Sequence, residues 1–106
     1  MVDFLVENKL RSLGLTGNYQ GYHCLRYSVH LIRTDPTCLD MATKRLYPEV
    51  ARCFGMNVGS VDSAMRTAIS LCCTRCGPQV AQMCRGNPRP TVSEFLQGLV
   101  EQLMEP

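Results

Sequence analysis

No apolar run in this chain exceeds a few residues, far short of the roughly 20 needed to span a bilayer. Nor does a cationic stretch lead into a hydrophobic one, so no signal peptide is expected and a cytoplasmic location follows. A Ser-His-Asp set, a phosphate-cradling loop and an outstanding carboxylate pair are all missing. Those absences leave no basis for catalysis, and the chain is expected not to be an enzyme and to need no cofactor. Net charge is small as well, +2 at neutral pH, which argues against indiscriminate coating of nucleic acid as the main task. Repeats, low-complexity tracts and long linkers are absent too. The 106 residues therefore fit one domain, in which folding removes roughly 65% of the accessible surface. A hydrophobic content of 45% against 19% charged residues excludes a disordered chain.

Cysteine is the residue present in excess, with seven copies. An odd number, falling mostly within helical patterns and without an export signal, does not describe an extracellular disulfide scaffold, and reduced thiols are expected. Cys73-x-x-Cys76, with Cys72 beside it and Cys84 further on, has spacing that could serve zinc or thiol redox chemistry. No second such pair exists, and His23 and His30 lie far away in sequence. Cys72 also falls on an apolar stripe, so a small buried hydrophobe is the preferred account and no metal site is assigned.

Charge is unevenly spread. Basic and acidic residues balance from Met1 to Ala42, whereas Thr43 to Arg89 sums to +5 and the tail from Pro90 to −3. The positive middle is where a surface facing phosphates belongs.

Hydrophobic periodicity predicts an all-α fold, a compact bundle of about six to seven helices. The first runs from about Asp3 to Leu13 on Val6, Leu10 and Leu13, and stops at Gly14. The second, from about Tyr22 to Arg33, buries Leu25, Val29 and Ile32. Asp35-Pro36 offers a start for the third, Asp as cap and Pro in the first turn. Pro48 would disrupt a continuous helix from Pro36 to Phe54, so a break is expected near Leu46 and Tyr47, with a new helix from Pro48. After a turn around Gly55 comes an amphipathic helix carrying Val61, Ala64, Met65, Ala68, Ile69 and Cys72 on one 3.6-period face. Gly77-Pro78 ends it, and a short helix to about Cys84 follows. Thr91 and Glu94 then form a capping box for a last helix whose apolar set is Val92, Phe95, Leu96, Leu99, Val100 and Leu103.

Residues from about 48 to 75 thus read as a helix-turn-helix, a device for laying a helix in the DNA major groove. The polar face of its second helix shows Asp62, Ser63, Arg66, Thr67, Ser70 and Thr74. Short hydrogen-bonding side chains with a single Arg suit a contact surface better than a merely solvated one, which would carry several Lys and Glu.

The run Leu13-Gly14-Leu15, Gly21-Tyr22, Leu25-Arg26, Asp35-Pro36, Thr43-Lys44-Arg45-Leu46-Tyr47-Pro48, Val61, Ala64, Met65-Arg66, Ala68-Ile69 and Pro90-Thr91 with Ser93-Glu94-Phe95 resembles the C-terminal DNA-binding domain of the sporulation-initiation response regulators of spore-forming bacteria. The resemblance extends from about Leu10 to Leu103. Its most specific parts are Lys-x-Leu-Tyr-Pro and the spacing from there to the Ala-x-x-Ala helix. It implies a transcription regulator of the two-component type. In that family a receiver domain, phosphorylated on Asp, dimerises and releases an effector domain that binds tandem promoter sites on double-stranded DNA and contacts RNA polymerase sigma factor. The present chain is expected to be one effector domain, without a receiver domain, acting as a homodimer on tandem sites. Ser70 to Gln82 is by resemblance the polymerase-contacting segment.

The resemblance maps base contacts onto Asp62, Ser63, Arg66 and Thr67. Arg66 alone matches the usual family residue; Glu, Arg and His are typical where Asp62, Ser63 and Thr67 stand here, so the family's DNA site does not transfer directly. Chemically, Arg66 can offer two donors to guanine O6 and N7, worth about 1–3 kcal/mol of discrimination. Ser63 and Thr67 can touch a base edge or a phosphate. Asp62 could accept from cytosine, favour the helix N-terminus, or orient Arg66 from one turn away. Lys44, Arg45, Arg52, Ser60 and Arg75 are the phosphate-contacting set, for each of which a plain solvated role is the alternative. A protein-interaction module that kept the fold but lost base recognition is the main rival reading.

Overall fold

Six α-helices and one π turn account for the regular structure of residues 2–104, which the computed structural model describes: α1 Val2–Ser12, α2 Gln20–Thr34, α3 Thr37–Asp40, the π turn Ala42–Leu46, α4 Tyr47–Phe54, α5 Val58–Met83 and α6 Val92–Met104. Among the described residues there is no strand. The all-helical expectation therefore holds, with one long helix where two were expected in series.

The apolar stripes read from the sequence meet in one core. Val6, Leu10 and Leu13 of the first segment join Leu25, Val29 and Ile32 of α2, Val61, Met65, Ala68, Ile69 and Cys72 of α5, and Val92, Phe95, Leu96, Leu99 and Val100 of α6. Phe95, Leu96 and Leu99 are fully buried; burying side chains of this size contributes about 1.5–3 kcal/mol each. Ala64 and Leu103, placed on the stripes by periodicity, lie at the margin, half-buried. Ser28 is fully buried and donates its hydroxyl to the Cys24 carbonyl at 2.7 Å, so it carries no unmet desolvation cost, whereas the buried Tyr22 hydroxyl has no hydrogen-bond partner among the described residues.

Helix ends follow local chemistry. Thr91 Oγ1 accepts from Glu94 N–H at 3.2 Å while Glu94 Oε1 accepts from Thr91 N–H at 2.8 Å, the reciprocal box expected at the start of α6. Asp35 Oδ1 accepts from the Thr37 N–H at 3.1 Å, as expected of a capping Asp, while Pro36 stands at the cap position directly before Thr37, one place earlier than expected. The helix beginning there is one turn long, however. The chain departs from helical geometry at Met41 (φ −124°, ψ 49°), not at the expected break near Leu46 and Tyr47, where both residues are right-handed helical. In the π turn the Tyr47 N–H reaches back to the Ala42 carbonyl. This wider coil relieves the clash a proline ring makes with the preceding turn. Pro48 therefore sits in the first turn of α4 without a break before it.

α5 contains the interruption that Gly77-Pro78 predicted, one residue earlier: Cys76 has φ −140° and ψ 49°. Residues 58–75 form the straight part, and Pro78 begins the second part, where its missing N–H costs little.

The straight part is fixed mainly by α2. Gly21 is buried at the crossing, where a Cβ would lie 2.3 Å from the Ala64 carbonyl oxygen and 2.6 Å from the Ala68 Cβ. Only a residue without a side chain lets the two backbones approach this closely. That crossing was not apparent from α2's apolar pattern.

Candidate nucleic-acid interface

The segment from α4 through α5 forms a helix-turn-helix. α4 ends at Gly55, whose φ of +64° is left-handed, and the following Met56 N–H returns to the Ala51 carbonyl at 2.9 Å. Asn57 then caps α5: its Oδ1 accepts from the Ser60 N–H at 2.8 Å. Asn57 was missed as a cap, although an Asn directly before an apolar-periodic run is the standard start signal. Three residues, 55–57, thus turn the chain between the helices.

On α5 the buried stripe faces α2 and the core, leaving Ser63, Arg66, Thr67, Ser70 and Thr74 exposed and Asp62 half-exposed. Arg66 Nε lies 2.8 Å from Asp62 Oδ2, one turn earlier, and the Arg66 side chain remains 73% exposed. The expected orienting contact is therefore formed. Tyr47 is buried at the start of α4, where the Asp62 carboxylate bears on its phenol. Burial, reinforced by the Asp62 charge, pushes the Tyr47 phenol up to about 12. Asp62 thus bears both on the Tyr47 phenol at the base of α4 and on Arg66 at the exposed face of α5, and it is the aspartate that holds the arginine.

Two clefts flank this face. On one side, about 660 Å³ opens between α5 and the start of α2, lined by Ser60, Ser63 and Thr67 of α5, Asn57, and Tyr19 and Gln20. On the other, about 990 Å³ lies between α5 and the loop leading to α6, lined by Arg66, Ser70 and Thr74 facing Pro88, Arg89 and Thr91. The structure thus brings Ser60, Ser63 and Thr67 into one cleft and Arg66 to the edge of the other, with Asp62 beside it.

The remaining basic positions are distributed and mostly engaged. Arg45 bonds to Asp35 Oδ2 at 2.6 Å and to Thr37 Oγ1 at 2.7 Å; the hydrogen bonds from Thr37, then the arginine, hold the Asp35 carboxyl below its ordinary range. Arg52 pairs with Glu49 at 2.7 Å on the surface of α4. Arg75 donates to the Gly14 carbonyl at 2.7 Å and to the Tyr19 hydroxyl at 3.4 Å, its guanidinium 5.9 Å from the Tyr19 ring centroid. Lys44 stands exposed on the π turn. Arg89 was not among the expected contacts, and only the positive sum of the 43–89 segment hinted at it.

Of the cysteines, Cys73 lines the larger cleft and Cys53 is exposed. All seven thiols are free, and burial pushes Cys72 up to about 12 and Cys24 and Cys84 to about 11. Cys72 occupies the apolar stripe as expected. Among the described residues no three His, Cys, Asp or Glu side chains are grouped so as to hold a metal ion, and no described helix is long and apolar enough to cross a membrane.

Residues 6–103 match the family described as Sporulation initiation factor Spo0A C terminal. The match covers the whole helix-turn-helix and both clefts, and it agrees with the resemblance carried by the Lys-x-Leu-Tyr-Pro stretch. The chain belongs to the Spo0A C-terminal family of all-helical DNA-binding effector domains of sporulation regulators.

Proposed function

We propose that this domain is a sequence-specific transcription regulator that places residues 58–75 of α5 in the major groove and reads bases chiefly through Arg66. The observation that carries this reading is the Arg66 side chain, 73% exposed yet braced by Asp62 at 2.8 Å. A long side chain tethered through Nε still has two terminal nitrogens to offer guanine O6 and N7, and the tether reduces the rotamer freedom lost on binding. Ser63 and Thr67 supply the secondary contacts, while Asp62 acts through Arg66 or on a cytosine amino group.

Among the phosphate contacts, Ser60 and Lys44 need no rearrangement. Arg45 and Arg52 would leave solvent-exposed pairs, which are worth little; Arg75, engaged by Gly14 and Tyr19, is given a structural role and leaves the set. One such domain holds few contacts, so tight binding comes from two copies on adjacent sites. Ser70 to Gln82 is assigned to sigma-factor contact by family resemblance. The break at Cys76 divides that segment. The domain works as a single effector unit in the cytoplasm, without catalytic activity.

The deciding experiment is selection of bound sequences from a random duplex pool, followed by anisotropy on the enriched duplex at two salt concentrations. A short guanine-containing motif whose preference persists at the higher salt is the expected result. Absence of enrichment, with binding vanishing as salt rises, overturns base reading and favours the protein-interaction module.

A further inference from the structure

Of the seven basic residues between Thr43 and Arg89, five are engaged: Arg45 with Asp35, Arg52 with Glu49, Arg66 with Asp62, Arg75 with Gly14 and Arg85 with Glu101. Arg89 has no such partner among the described residues and is exposed. Its position is nevertheless defined. Pro88 and Pro90 flank it and fix φ on either side. Its N–H donates to Asn87 Oδ1 at 3.0 Å, and Asn87 Nδ2 in turn donates to Glu94 Oε1 at 3.1 Å, the carboxylate that also closes the capping box of α6. The loop is thereby tied to the helix start, and it presents a guanidinium on the wall of the cleft whose other wall carries Arg66.

An α-helix with its side chains, about 10–12 Å across, nearly fills a major groove about 12 Å wide. Whatever flanks the recognition helix on either side must then meet one of the two sugar-phosphate backbones. On the Arg66 side of α5 that element is the 88–91 loop, and the cleft between them carries the hydroxyls of Ser70, Thr74 and Thr91 and two guanidiniums with no carboxylate lining it.

We propose that this cleft receives one strand's backbone and that Arg89 pairs with a phosphate of that strand, a contact on a different element from the helix-turn-helix. The assignment rests on the major-groove reading of α5. Arg89 fixes how the domain sits on the duplex, and Arg66 supplies the base preference. A phosphate contact adds affinity without sequence information, and it releases condensed counterions when formed.

The test compares Arg89→Ala, Arg89→Lys, Arg85→Ala and Arg66→Ala with the unaltered chain, by anisotropy over a salt series on the selected duplex and on an unrelated one, after melting curves establish that each variant folds. For Arg89→Ala the slope of log K against log salt should fall by about 0.9 on both duplexes, and Arg89→Lys should restore most of it, since an ammonium also neutralises a phosphate. Arg85→Ala removes the same charge at a site facing α6 and should leave the slope unchanged. An unchanged slope for Arg89→Ala, or an equal fall for Arg85→Ala, overturns the inference and leaves base reading intact. If instead Arg66→Ala keeps full discrimination between duplexes while Arg89→Ala lowers the slope, the phosphate contact stands and the reading of Arg66 fails.

Discussion

Arg66 and Arg75 leave the same helix with the same charge, but their guanidiniums end in different company. Arg66 leans on Asp62 of its own helix and stays in solvent, whereas Arg75 crosses to the α1–α2 connection and donates to the Gly14 carbonyl and the Tyr19 hydroxyl. An ion pair within one helical face costs little to loosen. A hydrogen bond joining segments far apart in sequence holds tertiary structure. A basic residue on a recognition helix is therefore not by that fact a DNA contact: the acceptors already within its reach decide whether it is available.

The largest effect expected is one that removes both behaviours at once. Gly21→Ala puts a Cβ into the Ala64 carbonyl and the Ala68 methyl, forcing α2 and α5 apart at a cost of about 3 kcal/mol. Thermal unfolding should shift down by about 15 °C for a domain of this size. Arg66 and Arg75 would then lose function together, which marks what a purely structural lesion looks like. A melting temperature within a few degrees of the parent would show that the crossing can relax.

Next in size, Arg66→Ala separates the pair. Discrimination between the selected duplex and an unrelated one should drop by about 1–3 kcal/mol, or roughly 5- to 150-fold, with the melting temperature nearly unchanged because the side chain is exposed and Ala suits a helix. Equal weakening on both duplexes would make Arg66 another phosphate ligand.

Arg75→Ala should do the converse. Loss of the bond to Gly14 and of the stem packed over the loop should cost about 1 kcal/mol, seen as a lower melting temperature. The salt slope of DNA binding should be unchanged; a fall of about 0.9 would return Arg75 to the phosphate set.

These contrasts also mark what was legible in the sequence. Thr91 with Glu94, the Gly55 turn, the Asp35-Pro36 start and the Cys72 end of the α5 stripe were readable because the cause and its effect lie within a few residues of one another. The Asp62–Arg66 contact was readable for the same reason, at one helical turn. Arg75 with Gly14 and Gly21 against Ala64 were not, since they depend on which segments meet after folding. Pro48 gave a true signal with the wrong outcome: the strain it imposes was absorbed by a π turn upstream, and the interruption moved to Met41. Arg89 escaped notice because nothing local distinguishes it from any loop arginine; its importance comes from facing Arg66 across a cleft.

The smallest effect concerns what braces Arg66. Asp62→Asn keeps the shape and a carbonyl acceptor but removes the charge that holds the guanidinium and raises the Tyr47 phenol. Base discrimination should weaken only a few-fold, well short of the loss in Arg66→Ala. The clearer readout is alkaline titration of tyrosinate absorbance. Tyr47 is raised from its ordinary value of 10 to about 12, first by burial and then by Asp62, so its neutral form favours the folded state. That contribution is complete below pH 10 and is lost as pH rises toward 12, because the unfolded chain releases the proton first. Without the Asp62 charge the folded phenol should titrate lower, still above 10 because burial remains. The pH range over which Tyr47 erodes stability narrows accordingly. A Tyr47 titration identical in Asp62→Asn and the parent would mean that Asp62 is not linked to the phenol, and that Arg66 is braced from its own helix alone.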